Sequence, residues 1–311
     1  MKEMDSQCLA PDHRVTGIPE DKSATPSVRY CMITPTRDDE EFIAATIEAV
    51  VQQTIRPVEW IIVNDGSRDR TGQIIDEYAK KHEWIRPVHR QDRGYRSTGG
   101  GVEAFLDAYC LLNCSNWEFL VNLDGDLTFA PDYFEKCFAN FKKMPRLGIA
   151  GGTIYNKVGD QLQLEKTAKF HVRGATKIYR RECWNEIGGL LRGLGWDTAD
   201  EVTANMRGWM TLSFPELRLI HYRLTGTGWG TWGGAVKDGQ ADYLIGYHPL
   251  FFGVKCVRSI FKRPRFIRAL GMAYGFSKNS LLHAPQVDKK LISYVRRQQI
   301  RRLLGMDSIW K

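Results

Sequence analysis

Residues 117–126 read WEFLVNLDGD, a short apolar run that ends in two carboxylates, Asp124 and Asp126. An apolar run of this length followed by turn residues is typical of a buried strand. Because only Gly125 separates the two carboxylates, both can turn toward one point, where their oxygens could ligate Mg²⁺ or Mn²⁺. An ion held there can neutralise a departing phosphate group. The alternative is an ordinary chain reversal, in which Asp and Gly are common.

Three mainly apolar runs precede this stretch, at residues 28–34 (VRYCMIT), 58–63 (VEWIIV) and 85–89 (IRPVH). Segments with helical spacing of apolar residues, such as Ile43 and Ile47, separate them. Strands that alternate with helices predict right-handed crossovers and a mainly parallel sheet with helices on both faces. The sequence therefore predicts an α/β fold, with its polar residues gathered at the carboxyl edge of the sheet, where ligands bind.

The second half of the sequence has a less regular pattern. It predicts a strand over residues 171–179, helices over 181–187 and 198–208, and a strand over 212–220. Beyond about Gly239 the chain is predicted to be helical and basic. The longest apolar tract in that part is interrupted by charged residues and a proline, so we expect no membrane-spanning helix there.

A second polar motif, Asn64-Asp65-Gly66-Ser67, follows the run that ends at residue 63. An Asp at this position can accept a hydrogen bond from an N–H of a nucleotide base, and Gly66 permits close approach of the backbone. The alternative is a strand-to-helix turn in which Ser67 caps the helix. Neither this motif nor the Asp pair is decisive alone.

The motifs become specific when they are combined with Thr34-Pro35-Thr36-Arg37, which ends the first run. In this order they resemble the family 2 glycosyltransferases, over about residues 28–221. The matching segments are residues 32–54, 58–71, 119–135 and 174–189. The resemblance implies the GT-A fold and an inverting transfer of a sugar from a nucleotide diphosphate donor, with UDP favoured, to a hydroxyl acceptor. The Q-x-x-R-W motif of processive synthases does not occur in the sequence, so we expect a non-processive enzyme.

The resemblance also implies where the nucleotide sugar binds. Thr34 and Asp65 fall at nucleoside-binding positions, with Asp65 on the base. Arg93 or Arg96 falls where the family often has a basic residue near the donor, and a solvated loop is the alternative for both. The candidate nucleotide-sugar-binding residues are Thr34, Pro35, Thr36, Arg37, Asp65, Arg93, Arg96 and Asp124.

A metal cofactor, Mn²⁺ or Mg²⁺, is implied by the same resemblance. Asp124 is expected near the ribose and the metal, and Asp126 is expected to ligate the metal that binds the diphosphate. His221 ends an apolar run, and a His at this position is sometimes a third metal ligand in GT-A enzymes. A structural His is the alternative.

The general base is implied by a motif near residue 200. The family usually has Glu-Asp at the start of a helix and an Arg six residues after the Asp. Here the pair is reversed, Asp200-Glu201, and Arg207 follows Glu201 by six residues. The resemblance therefore implies that Glu201 takes the proton of the acceptor, with Asp200 as the alternative. Acidic residues in a first helical turn also complement the helix dipole, which is the structural alternative.

Basic residues are concentrated near the end of the chain. The whole sequence has 44 Lys and Arg and 36 Asp and Glu, a net charge of +8. From Phe251 onward there are 14 basic residues and two acidic ones. Apolar residues interleave there with Lys255, Arg258, Lys262, Arg263, Arg265 and Arg268. This pattern predicts a basic amphipathic helix on an anionic membrane. Packing on the catalytic domain and a solvated basic face are the alternatives, and no recognition motif predicts a nucleic-acid partner.

The expected compartment follows from cysteines and from the first residues. Seven scattered cysteines without a C-x-x-C pair fit a reducing environment, and residues 1–26 are polar, without the apolar segment of a signal peptide. We therefore expect a cytoplasmic protein, peripheral at the inner face of the membrane, with a saccharide or lipid-linked saccharide acceptor. The predicted organisation is a polar segment (1–25), a GT-A domain (26–236) and a basic helical extension (237–311).

Two other functions compete with glycosyl transfer. A sugar nucleotidyltransferase would be expected to have a Gly-rich loop with Lys or Arg after the first strand, whereas residues 34–41 read TPTRDDEE. A non-catalytic nucleotide- or sugar-binding module would not need Asp124, Asp126 and Glu201 together. Both alternatives are therefore less favoured.

Overall fold

The computed structural model describes residues 28–94, 100–223, 230–261 and 266–310. Its strands are β1 (Tyr30–Thr36), β2 (Glu59–Asn64), β3 (Ile85–His89), β4 (Phe119–Leu123), β5 (Leu127–Phe129), β6 (Leu147–Val158), β7 (Gln161–Leu164), β8 (Thr176–Arg180) and β9 (Met210–His221). They form one nine-stranded sheet in the order β3-β2-β1-β4-β8-β6-β9-β5, with β7 paired to β6.

The helices of the described residues connect these strands and then continue as a C-terminal group. They are α1 (Ile43–Val51), α2 (Thr71–Ala79), α3 (Gly100–Tyr109), α4 (Tyr133–Lys143), α5 (Arg181–Ile187), α6 (Trp196–Met206), α7 (Gly230–Leu244), α8 (Pro249–Ile260), α9 (Ile267–Leu281) and α10 (Lys289–Leu303). The helices α1, α2 and α3 each follow one of the first three strands.

The first half of the sheet is parallel, as predicted. β1 pairs in parallel with both β2 and β4, and β2 pairs in parallel with β3. The four strands lie within two residues of their predicted bounds. Their carboxyl ends therefore meet at one edge, which carries the polar motifs.

Both faces of this half are covered, which explains why its strands are apolar throughout. Successive residues of a strand face opposite sides of the sheet. Met32 and Trp60 belong to the core beneath α1, α2 and α4. Ile33 and Ile61 belong to the core on the other face, with α3 and α5. The predicted α/β architecture, with helices on both faces, is confirmed.

The second half of the sheet is mixed. β8 runs antiparallel to β4 and to β6, β6 runs parallel to β9, and β5 runs antiparallel to β9. The strand predicted to begin at His171 begins only at Thr176. Residues 171–175 form a loop instead, whose contacts with α6 are described below.

The C-terminal helices confirm the prediction of a helical tail. α7 and α9 approach each other closely at two glycines. A Cβ atom added to Gly239 would lie 2.0 Å from the carbonyl oxygen of Met272. A Cβ atom added to Gly275 would lie 2.1 Å from the carbonyl oxygen of Val236. Small residues therefore allow the two backbones to touch. Within the described ranges, no helix combines the length and the apolar character needed to cross a membrane.

Candidate active site

The turn after β4 carries Asp124 and Asp126 at the carboxyl edge of the parallel strands. β5 follows Asp126 directly and pairs with the end of β9, which places Leu127 opposite His221. Nε2 of His221 consequently lies 3.2 Å from Oδ2 of Asp126. One ligand atom from each of Asp124, Asp126 and His221 lies within 4.8 Å of the others. These three residues, called the Asp-Asp-His cluster below, converge on a point where a divalent ion could bind.

Burial perturbs the protonation of the Asp-Asp-His cluster. Burial, together with the negative charge of Asp126, raises the pKa of Asp124 to about 7. Burial by itself would lower the pKa of His221, but the contact with Asp126 outweighs it and the pKa is raised. Nδ1 of His221 is buried and has no hydrogen-bond partner among the described residues. A cation between the carboxylates would relieve their repulsion, so the electrostatics favour a cation here.

Asp39 adds a third carboxylate to this region and was not predicted. It is 6% exposed, it accepts a hydrogen bond from Oγ1 of Thr36 at 2.6 Å, and its Oδ1 lies 2.5 Å from Arg223. Burial raises the pKa of Asp39, against the opposing effects of Thr36 and Arg223. Asp126 acts on the pKa in the same direction as burial. Arg223, two residues after β9, thus links the end of β9 to the segment that follows β1.

Asp65 lies at the end of β2, where the nucleoside was expected. Its backbone N–H donates to the carbonyl oxygen of Thr36 at 2.9 Å. Its Oδ1 lies 3.3 Å from Arg90 and 3.5 Å from Arg93, and Arg37 donates to its carbonyl oxygen at 3.1 Å. The structure thus brings Asp65 together with two predicted residues, Arg37 and Arg93, and with Arg90, which was not predicted.

The other predicted nucleotide-sugar-binding residues are Thr34, Pro35 and Thr36 of β1 and Arg96. Thr34 is fully buried, and its hydroxyl accepts a hydrogen bond from Nε1 of Trp60 at 2.9 Å. Its side chain therefore faces the core and not the edge of the sheet. Pro35 is half-buried and Thr36 is buried. Arg96 lies outside the described residues.

Asp200 and Glu201 lie in α6 and are both buried. Lys177 of β8 is buried with them: its Nζ lies 2.9 Å from each carboxylate oxygen of Asp200 and 3.1 Å from Oε1 of Glu201. The hydroxyl of Tyr179 donates to Oδ2 of Asp200 at 2.7 Å. Burial raises the pKa of Asp200 to about 6, against the opposing charge of Lys177. Lys177 was not predicted, because a single Lys in a strand pattern does not reveal which carboxylates it meets.

Glu201 holds the loop before β8. Its Oε1 accepts a hydrogen bond from the backbone N–H of Val172 at 2.6 Å, and its Oε2 lies 2.8 Å from Nδ1 of His171. These contacts bind residues 171–172 to α6, within the loop that precedes β8. The Glu201 side chain is fully buried, whereas that of His171 is 18% exposed. His171 was not predicted as a site residue.

A cavity of about 1030 Å³ lies beside this pair, between the loop before β8, the start of α6 and the C-terminal helices. Its titratable lining includes His171, the carboxylates of Asp197, Asp238 and Asp242, and several Lys and Arg side chains. Its aromatic lining consists of Phe170, Trp196, Tyr247, Phe251 and Trp310. Arg173 is within electrostatic reach of both Asp197 and Asp124. Asp124, Asp126 and His221 themselves are not among the residues that line the cavity.

The sequence profile described as Glycosyl transferase family 2 matches residues 31–194, more than half of the chain. The chain therefore belongs to glycosyl transferase family 2. The matched region contains Asp65, Asp124 and Asp126, while Glu201 and His221 lie beyond it.

Among curated relatives, the uncharacterized glycosyltransferase EpsJ of Bacillus subtilis (strain 168) is 37% identical over 131 residues. That similarity covers 42% of this chain and 35% of EpsJ. The chain thus matches about a third of the length of such relatives.

Two solved structures share the fold. The mannosyltransferase PcManGT of Pyrobaculum calidifontis, in complex with GDP-Man and Mn²⁺, aligns with a TM-score of 0.52 over 94% of this chain and 80% of its own, at 15% identity. TarS 1-349 of S. aureus, in complex with UDP-GlcNAc, aligns with a TM-score of 0.52 over 89% of this chain and 80% of its own, at 13% identity. At this identity the likeness concerns the fold alone, and it confirms the predicted GT-A fold.

Proposed function

We propose that this chain is an inverting, divalent-metal-dependent hexosyltransferase that moves a sugar from a nucleotide diphosphate donor to a hydroxyl acceptor in polysaccharide or glycolipid assembly. The observation that carries the proposal is the convergence of Asp124, Asp126 and His221 within 4.8 Å of one another. Membership of family 2 and the position of this cluster at the ligand-binding edge of an α/β sheet support the reaction class.

The nucleoside is proposed to bind at the ends of β1 and β2. Asp65 would accept a hydrogen bond from the base, while Arg37 and Arg93 hold Asp65 in place through the contacts described above. UDP is the nucleotide we favour, on the resemblance alone. The solved structures of PcManGT and TarS contain GDP-Man and UDP-GlcNAc, so donors of both kinds belong in the test.

The Asp-Asp-His cluster fits a divalent ion such as Mn²⁺ or Mg²⁺. Two carboxylates provide the oxygen ligands that these ions prefer, and three protein ligands leave positions for water and phosphate oxygens. The raised pKa of Asp124 reflects burial and repulsion from Asp126, which a cation would offset. When bound, the ion would supply positive charge beside the departing diphosphate.

The acceptor proton is proposed to be removed at Glu201 and not at Asp200. Asp200 is held by Lys177 and by the Tyr179 hydroxyl, away from the cavity lining. Glu201 instead contacts His171, which lines the cavity. Attack by the acceptor from the side opposite the departing diphosphate would invert the anomeric centre.

We also propose that the C-terminal helices contact an anionic membrane. Large apolar side chains are exposed on α8, on α9 and beside them, namely Leu250, Val257, Phe261, Phe266, Ile267, Leu270, Tyr274, Leu281 and Leu282. Other apolar residues of the same helices, such as Phe252 and Met272, are buried. The predicted amphipathic segment thus packs partly on the protein and leaves an apolar face that a lipid surface could cover.

Two of the six predicted membrane cations have other partners. Lys255 lies 2.7 Å from Asp242, and Arg268 lies 2.9 Å from Asp238. Neither is therefore counted as a lipid contact, which weakens the predicted electrostatic attraction. Arg258, on α8, lines the cavity described above, and Lys262, Arg263 and Arg265 lie outside the described residues.

The decisive experiment incubates the purified chain with Mn²⁺ and a panel of UDP- and GDP-sugars, with saccharide and lipid-linked acceptors. Released nucleoside diphosphate is measured, together with donor binding by calorimetry. We expect one donor class to bind and to release diphosphate only when a divalent ion is present. Binding of no nucleotide sugar would refute the proposal, and transfer of a nucleotidyl group would support the nucleotidyltransferase alternative.

A further inference from the structure

The cavity of about 1030 Å³ has an excess of positive charge, because seven Lys and Arg side chains and only three carboxylates line it. Asp242 lies 2.7 Å from Lys255, and Asp238 lies 2.9 Å from Arg268. Burial raises the pKa of the third carboxylate, Asp197, but the cationic side chains around it outweigh burial and lower the pKa. Each carboxylate is thus already compensated, and an excess of four positive charges remains.

Three of the lining cations, Lys166, Arg258 and Arg302, form no ion pair with any residue that the structure describes. Burial lowers the pKa of a fourth, Lys237, and the charges of nearby carboxylates do not offset this effect. A bound anion would stabilise these cations. Phosphate suits them because it can carry two negative charges and because guanidinium groups bind its oxygens in pairs.

Aromatic side chains form another part of the cavity wall. The ring of Trp310 has its centroid 5.2 Å from that of Phe170, 6.0 Å from that of Tyr247 and 5.9 Å from that of Phe251. Apolar and aromatic walls with a few polar groups are typical of sites for small organic ligands. Flat aromatic faces can also pack on the C–H face of a sugar ring. The lining therefore suits a ligand that combines a saccharide with phosphate.

Helix α8 carries both cavity wall and exposed apolar surface. Phe251, Val254 and Arg258 line the cavity, whereas Leu250 and Val257 are 60% and 56% exposed. Val254 lies four residues after Leu250 and three before Val257, the spacings at which side chains are neighbours on a helix. Apolar surface therefore continues from the cavity, over Val254, to the face that is proposed to contact lipid.

The cavity also lies near the proposed catalytic groups. His171 lines it and lies 2.8 Å from Glu201, the proposed base. Arg173 lines it too, and the charge of Arg173 opposes the rise in the pKa of Asp124. The proposed nucleoside contacts lie elsewhere, at the ends of β1 and β2. A saccharide in the cavity would therefore be on the side of the base, where an acceptor belongs.

We propose that this cavity is the acceptor site and that its ligand is a saccharide joined to a lipid through phosphate groups. The saccharide and its phosphates occupy the cavity, and the hydrocarbon chain leaves along the exposed face of α8. This inference rests on the proposed function and narrows its acceptor to an anionic amphiphile.

Binding is measured by calorimetry without donor, below the concentration at which the probes form micelles. The complete probe is GlcNAc joined to a dodecyl chain through diphosphate. GlcNAc 1-phosphate lacks the lipid, dodecyl N-acetylglucosaminide lacks phosphate, and dioctanoyl phosphatidylglycerol lacks the sugar. We expect the complete probe to bind about tenfold more tightly than each of the others, because each lacks one group that the site contacts. Equal affinity for any of the three would overturn the part of the proposal that concerns the missing group.

The double variant Arg258→Gln/Arg302→Gln should weaken binding of the complete probe about 10- to 100-fold, because charged hydrogen bonds to phosphate are lost. Its Tm and its affinity for dodecyl N-acetylglucosaminide should not change. Lys278→Gln/Arg297→Gln is the matched control, since it removes the same charge from exposed positions of α9 and α10 outside the cavity lining. Equal losses in the two double variants would overturn the site, because net charge alone would then explain them.

Turnover separates this inference from the proposed function. With the lipid-linked acceptor of the panel that the wild-type chain glycosylates, Arg258→Gln/Arg302→Gln should raise the KM for acceptor and leave the Kd for donor unchanged. If the wild-type chain binds no nucleotide sugar, the proposed function itself fails. If the wild-type chain transfers sugar and the double variant has the same KM for acceptor, only this inference fails.

Discussion

Nε2 of His221 lies 3.2 Å from Oδ2 of Asp126, so the last residue of β9 touches the turn that follows β4. The antiparallel pairing of β5 with β9 produces this contact. Both residues are buried, and the pairing of β5, which begins just after Asp126, with β9, which ends at His221, fixes their positions. Removing the charge of one residue should therefore leave the others in place.

Asp126→Asn should cut turnover by orders of magnitude while the fold stays intact, because one charged ligand of the ion is lost. EDTA should abolish the activity of the wild-type chain. Release of nucleoside diphosphate measures both effects. Asp160→Asn, in the exposed turn between β6 and β7, is the control and should keep full activity. Full activity of Asp126→Asn, or of the wild-type chain in EDTA, would contradict the metal site.

Glu201→Gln should lower kcat about 10²- to 10⁴-fold, because the amide cannot accept the proton of the acceptor hydroxyl. Nucleotide binding should survive, since the proposed donor contacts lie at β1 and β2. Asp200→Asn is the comparison and should mainly lower stability, because Asp200 is the partner of Lys177. If Asp200→Asn loses turnover while Glu201→Gln keeps it, the assignment is wrong by one residue.

Lys177→Met should lower the free energy of unfolding by about 3–5 kcal/mol, because it leaves the buried carboxylates of Asp200 and Glu201 without their cation. Urea denaturation measures the change. Lys136→Met is the control: Lys136 is 56% exposed and pairs with Asp132 on the helix surface, where an ion pair contributes about 0.2–1 kcal/mol. Equal losses in the two variants would contradict the role assigned to Lys177.

Vesicle binding tests the membrane proposal. The chain should sediment with anionic vesicles at low salt, less at high salt, and little with neutral vesicles. The double variant Phe261→Asp/Leu270→Asp should reduce sedimentation, because these side chains are 80% and 60% exposed. Leu162→Asp is the control, since Leu162 is exposed on β7 instead. Equal sedimentation with both lipid types, or none with either, would defeat the electrostatic contact.

The parallel strands and the motifs at their ends could be predicted from the sequence because their signals are local. Each strand is a continuous apolar run, and the turns after β2 and β4 begin with the Asp and Gly residues that end such runs. β6 was not predicted, because Gly151 and Gly152 interrupt its apolar pattern. A Cβ atom added to Gly151 would lie 2.1 Å from the carbonyl oxygen of Thr176. Only a glycine therefore fits at this position, and this requirement is visible only once β6 and β8 are packed together.

The sequence by itself determined the fold class, the carboxylate pair at Asp124 and Asp126, and the acidic pair in α6, because each depends on residues a few positions apart. Only the tertiary structure decided which partners these groups meet. It buried Lys177 against the acidic pair and placed His171 between Glu201 and the cavity. It also turned the Thr34 hydroxyl into the core. Such contacts join distant parts of the chain, and the charge and burial that set their chemistry arise only when the sheet and helices have packed.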